Sequence, residues 1–64
     1  MKKADDLDAL IMKLVSERPM SVSQLAKELK VRRDFLAGYL EAMKSQEKLK
    51  KIEVGRSYVY QPSN

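Results

Sequence analysis

The chain has no cysteine, no histidine and no tryptophan. Without the first two it can form no disulfide, no thiolate or imidazole metal site, no Ser-His or Cys-His nucleophile and no imidazole switch near neutral pH. Most enzyme chemistry is excluded with them, and no catalytic residue is expected. Glycine occurs only at Gly38 and Gly55, which stand apart, so no glycine-rich loop can cradle a phosphate. Long hydrophobic runs are lacking too, since no apolar stretch approaches the roughly 20 residues that cross a bilayer. The charged opening from Met1 to Asp6 leads into no signal-peptide core. These absences predict a soluble, cytoplasmic protein with no membrane partner, no cofactor and no small-molecule ligand.

What is present fits one small domain spanning 1–64, in which 44% of the residues are apolar and 34% charged. The net charge is +4, and it is unevenly placed. Up to Met20 the charges cancel, and between Ser21 and Glu47 they leave an excess of one. From Lys48 onward, Lys48, Lys50, Lys51 and Arg56 face only Glu53. A basic excess of this kind favours a polyanionic partner such as nucleic acid.

Ala4, Leu7, Leu10, Ile11, Leu14 and Val15 fall on one face at helical spacing and predict a helix over 5–18. Asp5 is placed to cap it, with Asp6 and Asp8 in the first turn, where the helix dipole favours carboxylates. Three aspartates in four residues also resemble part of a divalent-cation site, but capping accounts for them without a ligand, and no metal is expected. Pro19 ends this helix. Ser21-Val22-Ser23-Gln24 has the form of a capping box, which opens a second helix over 22–29 with Val22, Leu25, Ala26 and Leu29 inward. A third helix over 33–46 carries Phe35, Leu36, Tyr39, Leu40 and Met43 on its apolar face. Ile11, Leu14, Leu25, Leu36 and Leu40 are expected to form one core shared by the three helices.

After the helices, Ile52 and Val54 alternate, Gly55-Arg56 supplies a turn, and Ser57-Tyr58-Val59-Tyr60 is strongly strand-prone, which predicts a β-hairpin over 48–60. A two-residue turn pairs Val54 with Ser57 and Ile52 with Val59. It turns Ile52 and Val59 inward and leaves Tyr58 and Tyr60 on the other face beside Lys51 and Glu53, whereas a three-residue loop would invert that assignment. Tyr58 and Tyr60 are then open either to stacking on bases or to packing against the stem of Lys51. Residues 61–64 read as a frayed tail.

Three helices followed by a hairpin, a mainly α fold with a small β element, resembles the winged helix-turn-helix DNA-binding family. Ser21 to Val31 resembles that family's second helix and turn, with Val31 plugging the turn. Leu36, Leu40 and Met43 match the spine of its third helix, and Lys48-Leu49-Lys50-Lys51, Gly55-Arg56 and Tyr58-Val59-Tyr60 resemble its wing. In two places the chain departs from the family pattern. Lys30 stands where glycine is common in the interhelical turn, and Arg32 where Ser or Thr often caps the third helix.

The resemblance implies binding of double-stranded DNA, with the third helix in the major groove and the hairpin along the backbone or in the minor groove. It puts Arg32 and Arg33 near bases or flanking phosphates, and Lys44, Lys48, Lys50 and Arg56 near phosphate oxygens. The outward face of the third helix, with Asp34, Ala37, Gly38, Glu41 and Ser45, lacks the Arg, Asn and Gln that make bidentate base contacts, which predicts low intrinsic sequence specificity. On that reading Glu41 sits among phosphates. Gly38 in mid-helix invites close approach of another backbone or is simply tolerated. The function expected is that of a small transcriptional regulator or accessory factor, a monomer or weak dimer. The alternative is a protein-interaction module in a larger assembly, meeting a partner helix through Ala37 and Gly38.

Overall fold

The computed structural model describes the backbone of residues 3–63 and the side chains of residues 7–63. Three helices, α1 (Lys3–Glu17), α2 (Val22–Leu29) and α3 (Arg33–Ser45), are followed by the antiparallel strands β1 (Leu49–Val54) and β2 (Ser57–Pro62). This is the winged helix-turn-helix order. Helix α1 begins two residues before Asp5, which therefore lies within its first turn and not at the cap position, while the capping side chain itself falls outside the described residues. Asp8 is consequently in the second turn, where it has tertiary partners. The capping box of α2 is formed in full: Gln24 N donates to Ser21 Oγ at 3.2 Å and Ser21 N donates to Gln24 Oε1 at 2.9 Å.

The exits of α2 and α3 both turn through left-handed residues that are not glycine. Lys30 adopts φ 59° and ψ 46°, and Val31 N then donates to Ala26 O at 3.1 Å, which closes a Schellman-type end and tucks Val31 against the core. Glu47, at φ 63°, does the same after α3, where Lys48 N donates to Met43 O and Glu47 N to Lys44 O. Arg32 stands at the N-cap of α3 without a side-chain capping bond.

One cluster of buried side chains joins every element: Ile11 and Val15 of α1, Met20 of the segment before α2, Leu25 and Ala26 of α2, Leu36, Leu40 and Met43 of α3, Leu49 of β1 and Tyr60 of β2. Ile11, Leu25, Leu36 and Leu40 are wholly inaccessible, as their periodicity requires, whereas Leu14 is only half-buried at the margin. Two apolar faces proved wider than the surface available to cover them. Leu10 is 49% exposed, and Phe35 is 52% exposed because the buried line of α3 runs through Leu36, Leu40 and Met43 and leaves Phe35 on its flank. Tyr39, on the same flank, is half-buried and stacks obliquely on Phe35 with ring centroids 5.9 Å apart.

The hairpin has the two-residue turn and the expected register, Ile52 opposite Val59 and Val54 opposite Ser57. Gly55 takes the positive φ of 61° that the first central position of a type II′ turn asks for. Its core-facing side, however, is the reverse of that expected. Leu49 and Tyr60 are buried, while Ile52 and Val59 lie half-covered on the back. The cause is a third piece of extended chain: Met20 N donates to Tyr60 O at 3.2 Å and Tyr60 N to Met20 O at 2.8 Å. Directly opposed antiparallel residues point their side chains to the same face, so the buried Met20 takes Tyr60 with it into the core. Gln61 and Pro62 are no frayed tail either. They complete β2 opposite Lys50 and Leu49, and Ser63 N donates to Lys48 O at 3.1 Å.

Truncation at the centre should be severe: Leu40→Ala is expected to lower the unfolding free energy by about 2–5 kcal/mol in urea denaturation, comparable with the whole stability of so small a protein. Lys30→Gly, which removes the left-handed Cβ penalty, should instead raise it by about 1 kcal/mol.

Candidate nucleic-acid interface

An open groove runs along the exposed side of the helix-turn-helix. Its walls are the N-terminal turn of α2 (Ser21, Val22, Ser23), the outer side of α3 (Arg33, Ala37, Glu41) and the hairpin (Lys51, Arg56, Ser57, Tyr58, Tyr60). Each wall is placed by a feature already described. The capping box fixes the first turn of α2, the Lys30 turn sets α3 across it, and the Met20–Tyr60 pair brings the hairpin alongside. Arg33 Nε donates to Ser23 Oγ at 2.9 Å, which ties the first turns of the two helices together at one end of the groove.

Glu41 stands where α3 meets the hairpin. Its Oε2 accepts from the Tyr60 hydroxyl at 2.8 Å and from Lys51 Nζ at 3.1 Å, and its Oε1 lies 3.6 Å from Lys44 Nζ. The Tyr60 hydrogen bond, followed by that from Lys51, holds the Glu41 carboxyl below its ordinary value. Burial, and then the same bond seen from its other end, pushes the Tyr60 phenol up to about 12. Lys51 Nζ also lies 4.9 Å from the centroid of the Tyr58 ring and 5.9 Å from that of Tyr60, so one ammonium is held by a carboxylate and two aromatic faces. Glu41 is thus bonded within the molecule to both strands of the hairpin, partners that the sequence did not show.

Of the six cations expected at the interface, Arg33 and Arg56 line the groove together, and Lys44 reaches its edge through Glu41. Arg32 lies outside it, paired with Asp34 at 3.3 Å beside the exposed Phe35. Lys48 is directed to the opposite side of the molecule. Its Nζ donates to Asp8 Oδ2 at 2.9 Å, and Asp8 Oδ1 accepts from the Tyr39 hydroxyl, so the carboxylate joins α1, α3 and the start of β1. The Tyr39 bond, followed by that from Lys48, holds the Asp8 carboxyl below its ordinary value. Lys50 is exposed on the same hairpin face as Ile52, away from the groove. Lys51, Ser21 and Ser23 are groove residues that sequence reasoning did not single out for DNA. Lys51 could have been found from the register, which sets it opposite Tyr60.

The stretch from Ala9 in α1 to Glu47 after α3 matches the family described as bacterial regulatory protein, arsR family, over residues 9–47. The chain belongs to this family. As an arsR-family protein it has a winged helix-turn-helix of the kind used in DNA-binding transcription regulation, and that family points to a regulator and not an enzyme. The match contains both helices and the turn of the DNA-binding motif, while the hairpin lies beyond it. No curated protein matches the chain. Among the described residues no helix is long and apolar enough to cross a membrane.

The linked groups at Glu41 make stability depend on pH at both the acid and the alkaline end. A phenol whose folded value exceeds its ordinary 10.0 contributes stability that is complete below pH 10.0 and lost as pH rises toward about 12. The carboxyl of Glu41, depressed when folded, contributes stability that is present above its ordinary 4.5 and lost as pH falls through its lower folded value. Ultraviolet titration should show a phenolate that appears only near pH 12 in the wild type and is missing from Tyr60→Phe.

Proposed function

We propose that this arsR-family regulator holds double-stranded DNA in the groove between α2, α3 and the hairpin, with low intrinsic sequence specificity. The observation that carries this reading is that Arg33 of α3 and Arg56 of the hairpin line one groove together. Arg33 and Arg56 neutralise phosphates, Lys51 and Lys44 add positive charge beside Glu41, and the amides at the start of α2 offer further donors to phosphate oxygens. Arg32 lies close enough in sequence to reach a flanking phosphate once its exposed pair with Asp34 opens, a pair of little energetic weight. Lys48, engaged with Asp8, and Lys50, on the back of the hairpin, are left out of this interface.

Low specificity follows from what the face of α3 lacks. Ala37 and Gly38 occupy its middle, and nothing lies within 4 Å of a Cβ built at Gly38, so DNA can approach the helix closely there. Arg33, the one residue on this face with a fork suited to guanine, already spends its Nε on Ser23.

Binding of random-sequence duplex, followed by fluorescence anisotropy across a salt series, tests the reading. With three or four phosphates neutralised, log affinity should fall against log salt with a slope of about −3. Arg56→Ala should flatten that slope by about one unit, and Lys50→Ala should leave it unchanged. Equal effects of the two substitutions, or no binding at low salt, would overturn this interface.

A further inference from the structure

We propose that Glu41 is a positioning residue that sets the angle of the hairpin against α3, and thereby the place at which Arg56 and Lys51 meet the DNA backbone. The inference rests on the groove reading above but concerns a residue that touches no DNA in it.

The outer half of the hairpin has little else to hold it. From Glu53 to Tyr58 every residue is exposed, with Val54 at 55% and Tyr58 at 49%, and a two-stranded ribbon without a covered face is marginal by itself. The inner half is fixed by the burial of Leu49 and Tyr60 and by the paired amides of Met20 and Tyr60. A ribbon held along one line can still swing about it. Glu41 supplies a second line of attachment, from a different element: one oxygen receives both the Tyr60 hydroxyl of β2 and the Lys51 ammonium of β1, so the two strands are clamped to α3 at a single atom. Both bonds are charge-assisted, the stronger class of hydrogen bond. Arg56 lies in the turn beyond this clamp and has no burial to place it, so the clamp governs where its guanidinium stands.

A carboxylate in a DNA-facing groove is repulsive to phosphate, so a purely electrostatic role and a positioning role give opposite results. Glu41→Gln and Glu41→Ala remove the same charge, but only glutamine keeps an acceptor for the Tyr60 hydroxyl, and Tyr60→Phe removes the donor with no change of charge. All three should fold, because position 41 is on a helix surface and phenylalanine keeps the buried ring. The expected result is duplex affinity for Glu41→Gln at or above that of the wild type, with Glu41→Ala about five- to tenfold weaker than Glu41→Gln and Tyr60→Phe weakened by a similar factor. In an Arg56→Ala background the loss caused by Tyr60→Phe should shrink below about twofold, because the residue being positioned is gone.

Amide hydrogen exchange without DNA provides a second readout. Residues 51–58 should exchange severalfold faster in Tyr60→Phe and Glu41→Ala than in Glu41→Gln, with the amides of Met20 and Leu40 unchanged. Equal affinity for the two Glu41 variants together with wild-type binding by Tyr60→Phe would overturn the positioning role while leaving the groove reading intact. Should no form of the protein bind duplex, the groove reading fails, and the exchange rates alone decide whether Glu41 holds the hairpin.

Discussion

The pair of backbone hydrogen bonds between Met20 and Tyr60 is the constraint from which the rest of the architecture follows. It joins the segment between α1 and α2 to the last strand, and it decides which side of the hairpin is buried. With Tyr60 turned inward, its ring joins the buried core, and its hydroxyl is within reach of Glu41. With the opposite side inward, Ile52 and Val59 would have been covered and the phenol left in solvent. One aromatic residue thus serves the core through its ring and the groove through its oxygen, a division of labour that tyrosine allows and phenylalanine does not.

The acidic side chains complement this by fixing the basic ones. Asp8 holds Lys48, Glu41 holds Lys51 and borders Lys44, and Asp34 meets Arg32. The formal charge of +4 therefore says little about which cations a polyanion meets, because several of them are partnered before it arrives. Of the cations that no carboxylate holds among the described residues, Arg33 and Arg56 share one groove.

The helical part of the fold was legible because each signal was local. A capping box, a proline stop and three stripes at helical spacing located α2 to the residue and α1 and α3 to within two. The hairpin register was legible from Gly55 for the same reason. Its facing was not, since that depends on Met20, forty positions away in sequence, and an alternating strand offers two faces of similar apolarity. Phe35 misled in the other direction, because periodicity reports which face is apolar and not how much covering surface the fold can supply. In the candidate site, Arg33 and Arg56 could be picked out from charge and position, whereas the diversion of Lys48 to Asp8 and the clamp at Glu41 arise from tertiary neighbours that no spacing rule displays.

The near-absence of side chains along the middle of α3 bears on kinetics. Where a long arginine or asparagine grips a base edge, moving the protein by one base pair breaks a bidentate bond, and each site is a well. Ala37 and Gly38 offer no such grip, and in the proposed interface the contacts around them would go to a backbone that repeats at every step. On the proposed reading such a surface would slide: it would visit many positions per encounter, stay briefly at each, and rely for any lasting residence on something other than the outer side of α3.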